Sequence, residues 1–458
     1  MGKPHRSALD ARFRLLSRST CSSALLHAPN RPPRRRHIPG VGTFRGLGLS
    51  QSAIDARPTV GIPCPQDRPP GGSSVHHADR QCGFRREGTI EDYFGYGIIG
   101  CGWVSSAHAW GIRCLEAEGV RLMAVSDPDA RRAQAIASQF NVPHVLGDYR
   151  GLLSRSDIDA VSICLPDFLH KEATVAAAAE GKHVLCEKPL ALDVASADEM
   201  LAVCGGHGVR LGIVMNHRYA RDNIVTKSAI RDGALGTLLA GNVLHSSALT
   251  GDPDHRSPWR GRVGLAAGGV LATQAIHFLD LLLWFAGPVA SLEAYTSRLT
   301  RVGQDYEDTA ALVLKLKSGA LATLITTNGA PIMNDYEGTR VELHGTAGYI
   351  SLEGDAVRKW QCERRYTDMK LTLPDVPVPS GELAFGLGHI HEVMDFVRSI
   401  RRGAEAPVPG SDGRHLMAVL AAAYESARNG KAVKVEDGES AYSAMPDKES
   451  MLSWGPSQ

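Results

Sequence analysis

The sequence predicts an α/β protein whose first half is a doubly wound parallel sheet and whose second half is an α+β region built on an open, largely antiparallel sheet. Three observations carry that expectation. Between Tyr93 and Asn216, apolar runs of strand length alternate with helical patterns, the grammar of parallel strands joined by crossover helices. The first run, at residues 96–99, passes directly into Gly100-Cys101-Gly102-Trp103-Val104-Ser105 and then into a helical pattern. Beyond Arg218 strands follow one another through short turns such as Lys317-Ser318-Gly319, and the alternation with helices ends.

The glycine turn comes first in the chain. Gly100 supplies the tight turn, Gly102 lets the backbone come close to a ligand, and the amides that open the next helix present positive partial charge to an anion. Ser105 stands where a third glycine is usual, and it is small enough for the helix to pack closely on the strand. The second strand, residues 120–127, ends on Asp127, about twenty residues past the glycines, where an acid accepts hydrogen bonds from the ribose hydroxyls of NAD. Strand, glycines and acid together predict a Rossmann βαβ unit that binds a dinucleotide. Asp127 has a competing role as N-cap of the helix at 130–140, which Asp129 could fill equally well. A short strand at 142–146, a helix at 149–154 and a strand at 159–166 follow, the last ending at the edge where α/β sheets bind ligands. An alanine-rich helix at 170–180 leads to a fifth strand at 182–189 with Glu187-Lys188 at its carboxyl end. A helix at 198–204 and a strand at 210–216 complete the sheet.

In the second half, residues 236–247, 289–298, 310–316, 320–327, 340–344 and 349–352 read as strands. One long helix interrupts them at 269–285, apolar on most faces and therefore buried. Helices at 389–401 and 414–429 close the fold.

At 458 residues the chain is long enough for two or three domains. Its formal net charge of +1 hides an asymmetry. Residues 1–90 hold about fifteen Lys and Arg against about five Asp and Glu, so the body is acidic by about nine charges and has no general pull on nucleic acid. Nine cysteines without a C-x-x-C pair argue against a zinc ribbon or a disulfide framework, so no metal is expected and a reducing cytoplasm fits best. No apolar run reaches the length of a membrane span, since 271–285 is interrupted by Gln274, His277 and Asp280. Residues 1–91, with Arg34-Arg35-Arg36 and Pro69-Pro70-Gly71-Gly72, lack periodicity and are expected to be a disordered, dispensable basic extension. A transit peptide, a nucleic-acid-binding arm and sequence upstream of the true start are the competing readings. The expected division is a nucleotide-binding domain at 92–216, a substrate domain at 217–437 and a loosely ordered tail at 438–458.

Several segments carry a family resemblance: Gly100-Cys101-Gly102, residues 157–166, residues 181–189 ending in Glu187-Lys188-Pro189, residues 268–277 with Asp280, Glu307-Asp308-Thr309 and residues 345–348. From about Tyr93 to Val435 the chain resembles the Gfo/Idh/MocA oxidoreductases, NAD(P)-dependent enzymes acting on sugars, polyols and sugar nucleotides. The resemblance implies a cofactor held by Gly100, Cys101, Gly102, Trp103, Val104, Asp127, Leu165, Pro166, His170, Glu187 and Lys188. Asp127 favours NAD, and Arg131 with Arg132 leaves room for NADP. Lys188 matches the family's Glu-Lys-Pro motif as the electrophile that stabilises a forming alkoxide. An ion pair with Glu187 is its competing role, made awkward because adjacent strand residues point to opposite faces.

His277 matches the histidine of the family's D-x-x-x-H signature and is expected to accept the substrate proton; a hydrogen-bonded core histidine is the alternative. The family's aspartate is Thr273 here, so His277 is expected to work with Lys188 alone, with Thr273 and Gln274 on the substrate side. Arg218, Trp259 and Arg260 match positions near the substrate, where an arginine suits a carboxylate or phosphate, against surface ion pairing. His170 could equally serve only to start its helix. The family's open sheet often mediates oligomerisation, so a homodimer or homotetramer is implied, with a sugar or polyol substrate and neither nucleic acid nor membrane as partner. An NAD-dependent glycosidase using transient oxidation and a non-catalytic ligand sensor are the rival functions.

Overall fold

A computed structural model describes residues 93–248, 259–300, 304–331, 338–363 and 386–436, with Arg365, Tyr366, Leu371, Leu373 and Val376 between the last two stretches. The expectations for the basic extension and the tail lie outside these residues.

The first sheet is built from β1 (Phe94–Ile99), β2 (Val120–Ser126), β3 (His144–Leu146), β4 (Ala160–Ile163), β5 (His183–Cys186) and β6 (Leu211–Ile213), all parallel and ordered β3-β2-β1-β4-β5-β6. Helices α1 (Ser105–Arg113), α2 (Ala130–Phe140), α3 (Tyr149–Leu153), α4 (His170–Ala179) and α5 (Val194–Gly206) make the crossovers. Because helices cover both faces, β1, β4 and β6 are buried along their whole length, which is why they read as continuous apolar runs. The strand order reverses between β1 and β4, and their carboxyl ends flank the crevice where such sheets bind ligands.

After β6 a short turn at Asn216–Tyr219 leads to α6 (Arg221–Arg231), a helix that the pattern did not announce. Its buried face mixes Val225 and Ala229 with Asn223 and Thr226, so the apolar periodicity is weak. β7 (Leu238–Ser246) follows. The long helix expected at 269–285 is two helices, α7 (Val270–Thr273) and α8 (Ile276–Ala286). In an unbroken helix the Thr273 carbonyl would accept the His277 amide. Here that carbonyl accepts the Lys188 ammonium at 2.7 Å, and the His277 amide donates to Gln274 instead. The chain leaves helical geometry at Gln274, with φ −123°.

The second sheet adds β8 (Val289–Ser297), β9 (Thr309–Leu316), β10 (Leu321–Thr327), β11 (Thr339–Gly345), β12 (Gly348–Glu353) and β13 (Ala356–Cys362). Helices α9 (Gly388–Arg401) and α10 (Gly410–Asn429) and the short β14 (Val433–Lys434) end the described chain. The order is β13-β12-β11-β7-β10-β9-β8-β14, antiparallel except for the parallel pair β7 and β10. Both edges, β13 and β14, went unforeseen, since one is largely polar and the other two residues long. The inner face buries Leu312, Leu314, Leu324, Val341 and Leu343 in one core with Leu279 and Leu282 of α8. α9 packs elsewhere: Ile390, Val393, Phe396 and Val397 join Phe94, Tyr96 and Ile98 in the core of the first sheet. No helix among the described residues is long and apolar enough to cross a membrane.

Candidate active site

Gly100 adopts a left-handed φ of 91°, and a Cβ placed on it would lie 2.4 Å from the Cys164 carbonyl just past β4. Both facts demand glycine. A Cβ on Gly102 would meet nothing within 4 Å, so this side of the crevice is open. α1 begins beside it without a side-chain cap, whereas α2, α3 and α5 are capped by Asp129, Asp148 and Asp193. An open backbone edge before an uncapped helix N-terminus suits the pyrophosphate of a dinucleotide.

One oxygen of Asp127 accepts the Cys101 amide at 2.8 Å, and the other accepts the Asp129 amide at 2.8 Å. Asp129 caps α2, so the alternative role for Asp127 falls away. The carboxylate braces the glycine turn and keeps lone pairs for ribose hydroxyls. Cys101 contributes backbone only. Burial and the nearby Asp127 raise its thiol pKa to about 12, so it stays protonated. Arg131 and Arg132 lie 3.2 and 3.7 Å from Asp129. Trp103 is 69% exposed at the mouth, beside half-buried Val104.

Leu165 and Pro166 border the crevice after β4, both half-buried. His170 does more than open α4: its ring nitrogens reach the carbonyls of Pro189 and Leu165, each at 2.8 Å, so it clamps the two strand ends together. Burial opposes charge on this ring, but the Cys186 sulfur, Asp167 and the Leu165 carbonyl outweigh it and raise the pKa to about 10. Two carbonyl acceptors match a ring protonated at both nitrogens.

Glu187 is engaged within the protein. Its carboxylate turns into the protein, 3.1 Å from His108 Nε2 and 3.7 Å from His389 Nε2, and accepts the Lys188 backbone amide at 3.2 Å. Burial works against its charge, yet the His108 hydrogen bond, His389 and Lys188 bring the carboxyl down to about 2. The other His108 nitrogen meets Ser162 at 2.8 Å, and Ser162 meets the Tyr96 hydroxyl at 3.0 Å. This buried chain joins α1, β1, β4 and β5 beneath the crevice. The sequence hinted at it only through His108, a histidine on a helix that is otherwise packing residues.

Lys188 follows β5 on a cis peptide to Pro189, and its ammonium reaches the Thr273 carbonyl. Thr273 turns its hydroxyl back to the Gly269 carbonyl at 2.8 Å, so it does not replace the family's aspartate as a proton carrier. Gln274 Oε1 and His277 Nδ1 are both enclosed without a hydrogen-bond partner among the described residues. Buried polar atoms in native proteins are usually paired, so these two are open to a partner that the protein itself does not supply. Burial, then Lys188 and the histidines at 217, 389 and 245, push the His277 pKa well below its ordinary value.

Arg218 is paired inside the protein as well. Its guanidinium makes two bonds to Asp280, at 2.7 and 2.6 Å, and one to Asp412 at 2.8 Å, and lies over the Trp284 ring. All three charged groups are buried, so this arginine ties helices together. Arg260 stacks on Trp259 at 5.1 Å. Two further groups escaped the sequence reading. His217 donates to Asp355 at 2.9 Å with its ring 5.0 Å from that of His277, and His245 bonds Thr326 at 2.8 Å while stacking on Phe278. No spacing links these positions, because each comes from a different element.

An open glycine turn before an uncapped helix N-terminus, with an ammonium and an imidazole close to one another, suits a dehydrogenase. Residues 94–215 match the oxidoreductase family with an NAD-binding Rossmann fold, and residues 227–435 match the family's C-terminal alpha/beta domain. The chain belongs to this family, Gfo/Idh/MocA, and is an NAD-binding oxidoreductase. D-apiose dehydrogenase from Paraburkholderia graminis is 28% identical over 350 residues, covering 75% of this chain and 90% of the relative. Myo-inositol 2-dehydrogenase from Thermotoga maritima is 27% identical over 351 residues, covering 74% and 98%. A solved structure of levoglucosan dehydrogenase in complex with NADH superposes with a TM-score of 0.66 at 22% identity, over 76% of this chain and 100% of the other, a likeness of fold.

Proposed function

We propose that the protein oxidises a hydroxyl-bearing carbon of a sugar, polyol or sugar nucleotide with NAD, or reduces the matching ketone. The observation that carries this reading is the meeting of Lys188 with the break between α7 and α8, beside the unpartnered Nδ1 of His277. Sugar and polyol dehydrogenases among the relatives support it.

The α1 N-terminus and Gly102 suit the pyrophosphate, and Asp127 suits a ribose hydroxyl while repelling a 2′-phosphate, so NAD is preferred. When bound, the nicotinamide supplies the carbon that accepts hydride. His277 takes the hydroxyl proton on a neutral imidazole, which its lowered pKa keeps available through neutral pH. Lys188 holds the developing alkoxide with its ammonium. Gln274 offers an unpaired oxygen to a neighbouring hydroxyl. The described cysteines are all free thiols, which agrees with a reducing cytoplasm. The exposed face of the second sheet suits a homodimer or homotetramer.

The test is a panel of sugars, inositols and sugar nucleotides assayed for NADH formation. Steady NADH formation with at least one of them is the expected result. A cofactor that stays bound while the panel yields no net NADH would contradict it and favour transient oxidation in a glycosidase.

A further inference from the structure

Any proton that His277 takes has to leave again, and its own surroundings resist holding it. Thr273 has spent its hydroxyl on Gly269, and Lys188 adds a like charge nearby. The carboxylate that this site lacks at position 273 is present in another place. Asp355, in the tight turn between β12 and β13, accepts the His217 Nδ1 proton at 2.9 Å and an Asn223 amide proton at 2.8 Å. Asn223 also donates to the His217 backbone carbonyl at 2.8 Å, so one amide ties Asp355 to the backbone that carries the ring. A carboxylate acceptor fixes the tautomer: Nδ1 carries the proton and Nε2 is the basic nitrogen. The His217 and His277 ring centroids are 5.0 Å apart, close enough for one bridging water to join the rings.

We propose that His217, oriented by Asp355, is the relay that carries away the proton His277 receives from the substrate. The inference rests on the dehydrogenase reading above. In the oxidative direction the substrate O–H bond breaks and its proton binds one nitrogen of His277. The proton on the other nitrogen passes to His217 Nε2, and the resulting imidazolium is balanced by the Asp355 carboxylate. Asp355 is 20% exposed, so the proton has a route to water. Reduction runs the same path backwards. His277 from α8, His245 from β7, His389 from α9 and Asp355 from the hairpin turn lie around His217. Only Asp355 among them favours a positive charge. It is the positioning residue of the pair.

The test uses the full chain with NAD and the panel substrate turned over fastest, in His217→Ala, His217→Gln, Asp355→Asn, Asp355→Glu and His277→Ala. His217→Ala is expected to lose roughly ten- to a hundredfold in kcat, towards the lower end of what positioned proton transfer contributes. NADH affinity by fluorescence should stay within about twofold, because no cofactor contact is removed. Imidazole added to the buffer should restore the His217→Ala rate in proportion to its free-base concentration. The solvent isotope effect should rise, and Asp355→Glu should recover more activity than Asp355→Asn. His217→Gln keeps a hydrogen-bonding side chain and separates a folding loss from a relay loss. Unchanged kcat and isotope effect in the His217 variants would overturn the relay. So would a loss confined to KM and melting temperature without imidazole rescue. If His277→Ala is inactive while His217→Ala is fully active, the relay alone fails. If His277→Ala turns over normally, or the panel gives no NADH, the dehydrogenase reading falls and takes the relay with it.

Discussion

An ammonium in a half-buried crevice needs acceptors, and Lys188 finds one in the Thr273 carbonyl at 2.7 Å. That bond lies at the break before the helix that carries His277, so one contact bears on the placement of both the electrophile and the proton acceptor proposed above. Lys188→Ala is expected to cost on the order of a hundred- to a thousandfold in turnover with NADH affinity retained. Stopped-flow turnover beside NADH fluorescence checks this, and loss of affinity with normal turnover would contradict it. For His277 the sign follows from its environment. Its pKa lies well below the ordinary histidine value, so the base is neutral at neutral pH and the acid limb of oxidation falls below pH 6.5. His277→Ala should abolish that limb, and an unchanged pH profile would return this histidine to the core. The turn at Gly100 and the strand ends that carry Asp127 and Lys188 could be read from the sequence because local geometry fixes their spacing. The partners of Glu187 and Arg218 could not. They lie far along the chain, 79 positions away for His108 and 62 and 194 positions away for Asp280 and Asp412.

α9 shows how an element can serve a site from the far end of the sequence. Its apolar face closes the core of the first sheet and brings His389 to Glu187. Burial pushes the His389 pKa down to about 4, against the pull of Glu187. The unfolded chain, at about 6.5, therefore binds a proton that the folded protein refuses, and the stabilising effect of a neutral His389 is lost as pH falls from about 6.5 towards 4. His389→Asn should flatten this part of the stability curve. Melting temperatures of both proteins at pH 7.5 and 5 test it, and parallel declines would contradict it. Helices with a clean apolar stripe were readable, as α2 was. α6 was missed because polar Asn223 and Thr226 fill half of its buried face, and the break at Gln274 was hidden because both flanking helices are apolar.

The whole molecule leaves one broad surface unexplained by its own folding. Across the second sheet, Leu244, Ile325, Ala311 and Tyr295 stand in register on the outer face, with Val313 and Leu321 on neighbouring rows. Ile325 is 49% exposed and Val313 56%, an apolar patch of the kind that marks a protein–protein contact. A homo-oligomer through this face predicts that Ile325→Lys with Val313→Lys shifts sedimentation to the monomer while NADH binding persists. A monomeric unaltered protein would contradict it. The two-sheet architecture was legible at this scale because the strand grammar changes at Arg218, whereas the polar edge β13 and the two-residue β14 carry too little pattern to read. The central claim is that the crevice passes hydride from a carbinol carbon to NAD while Lys188 and His277 manage the charge and the proton. Its most direct test is a panel substrate deuterated at that carbon, with the NADH product weighed by mass spectrometry. Direct hydride transfer puts the deuterium on NADH and none of it in water. Unlabelled NADH, or deuterium released to solvent, would contradict it.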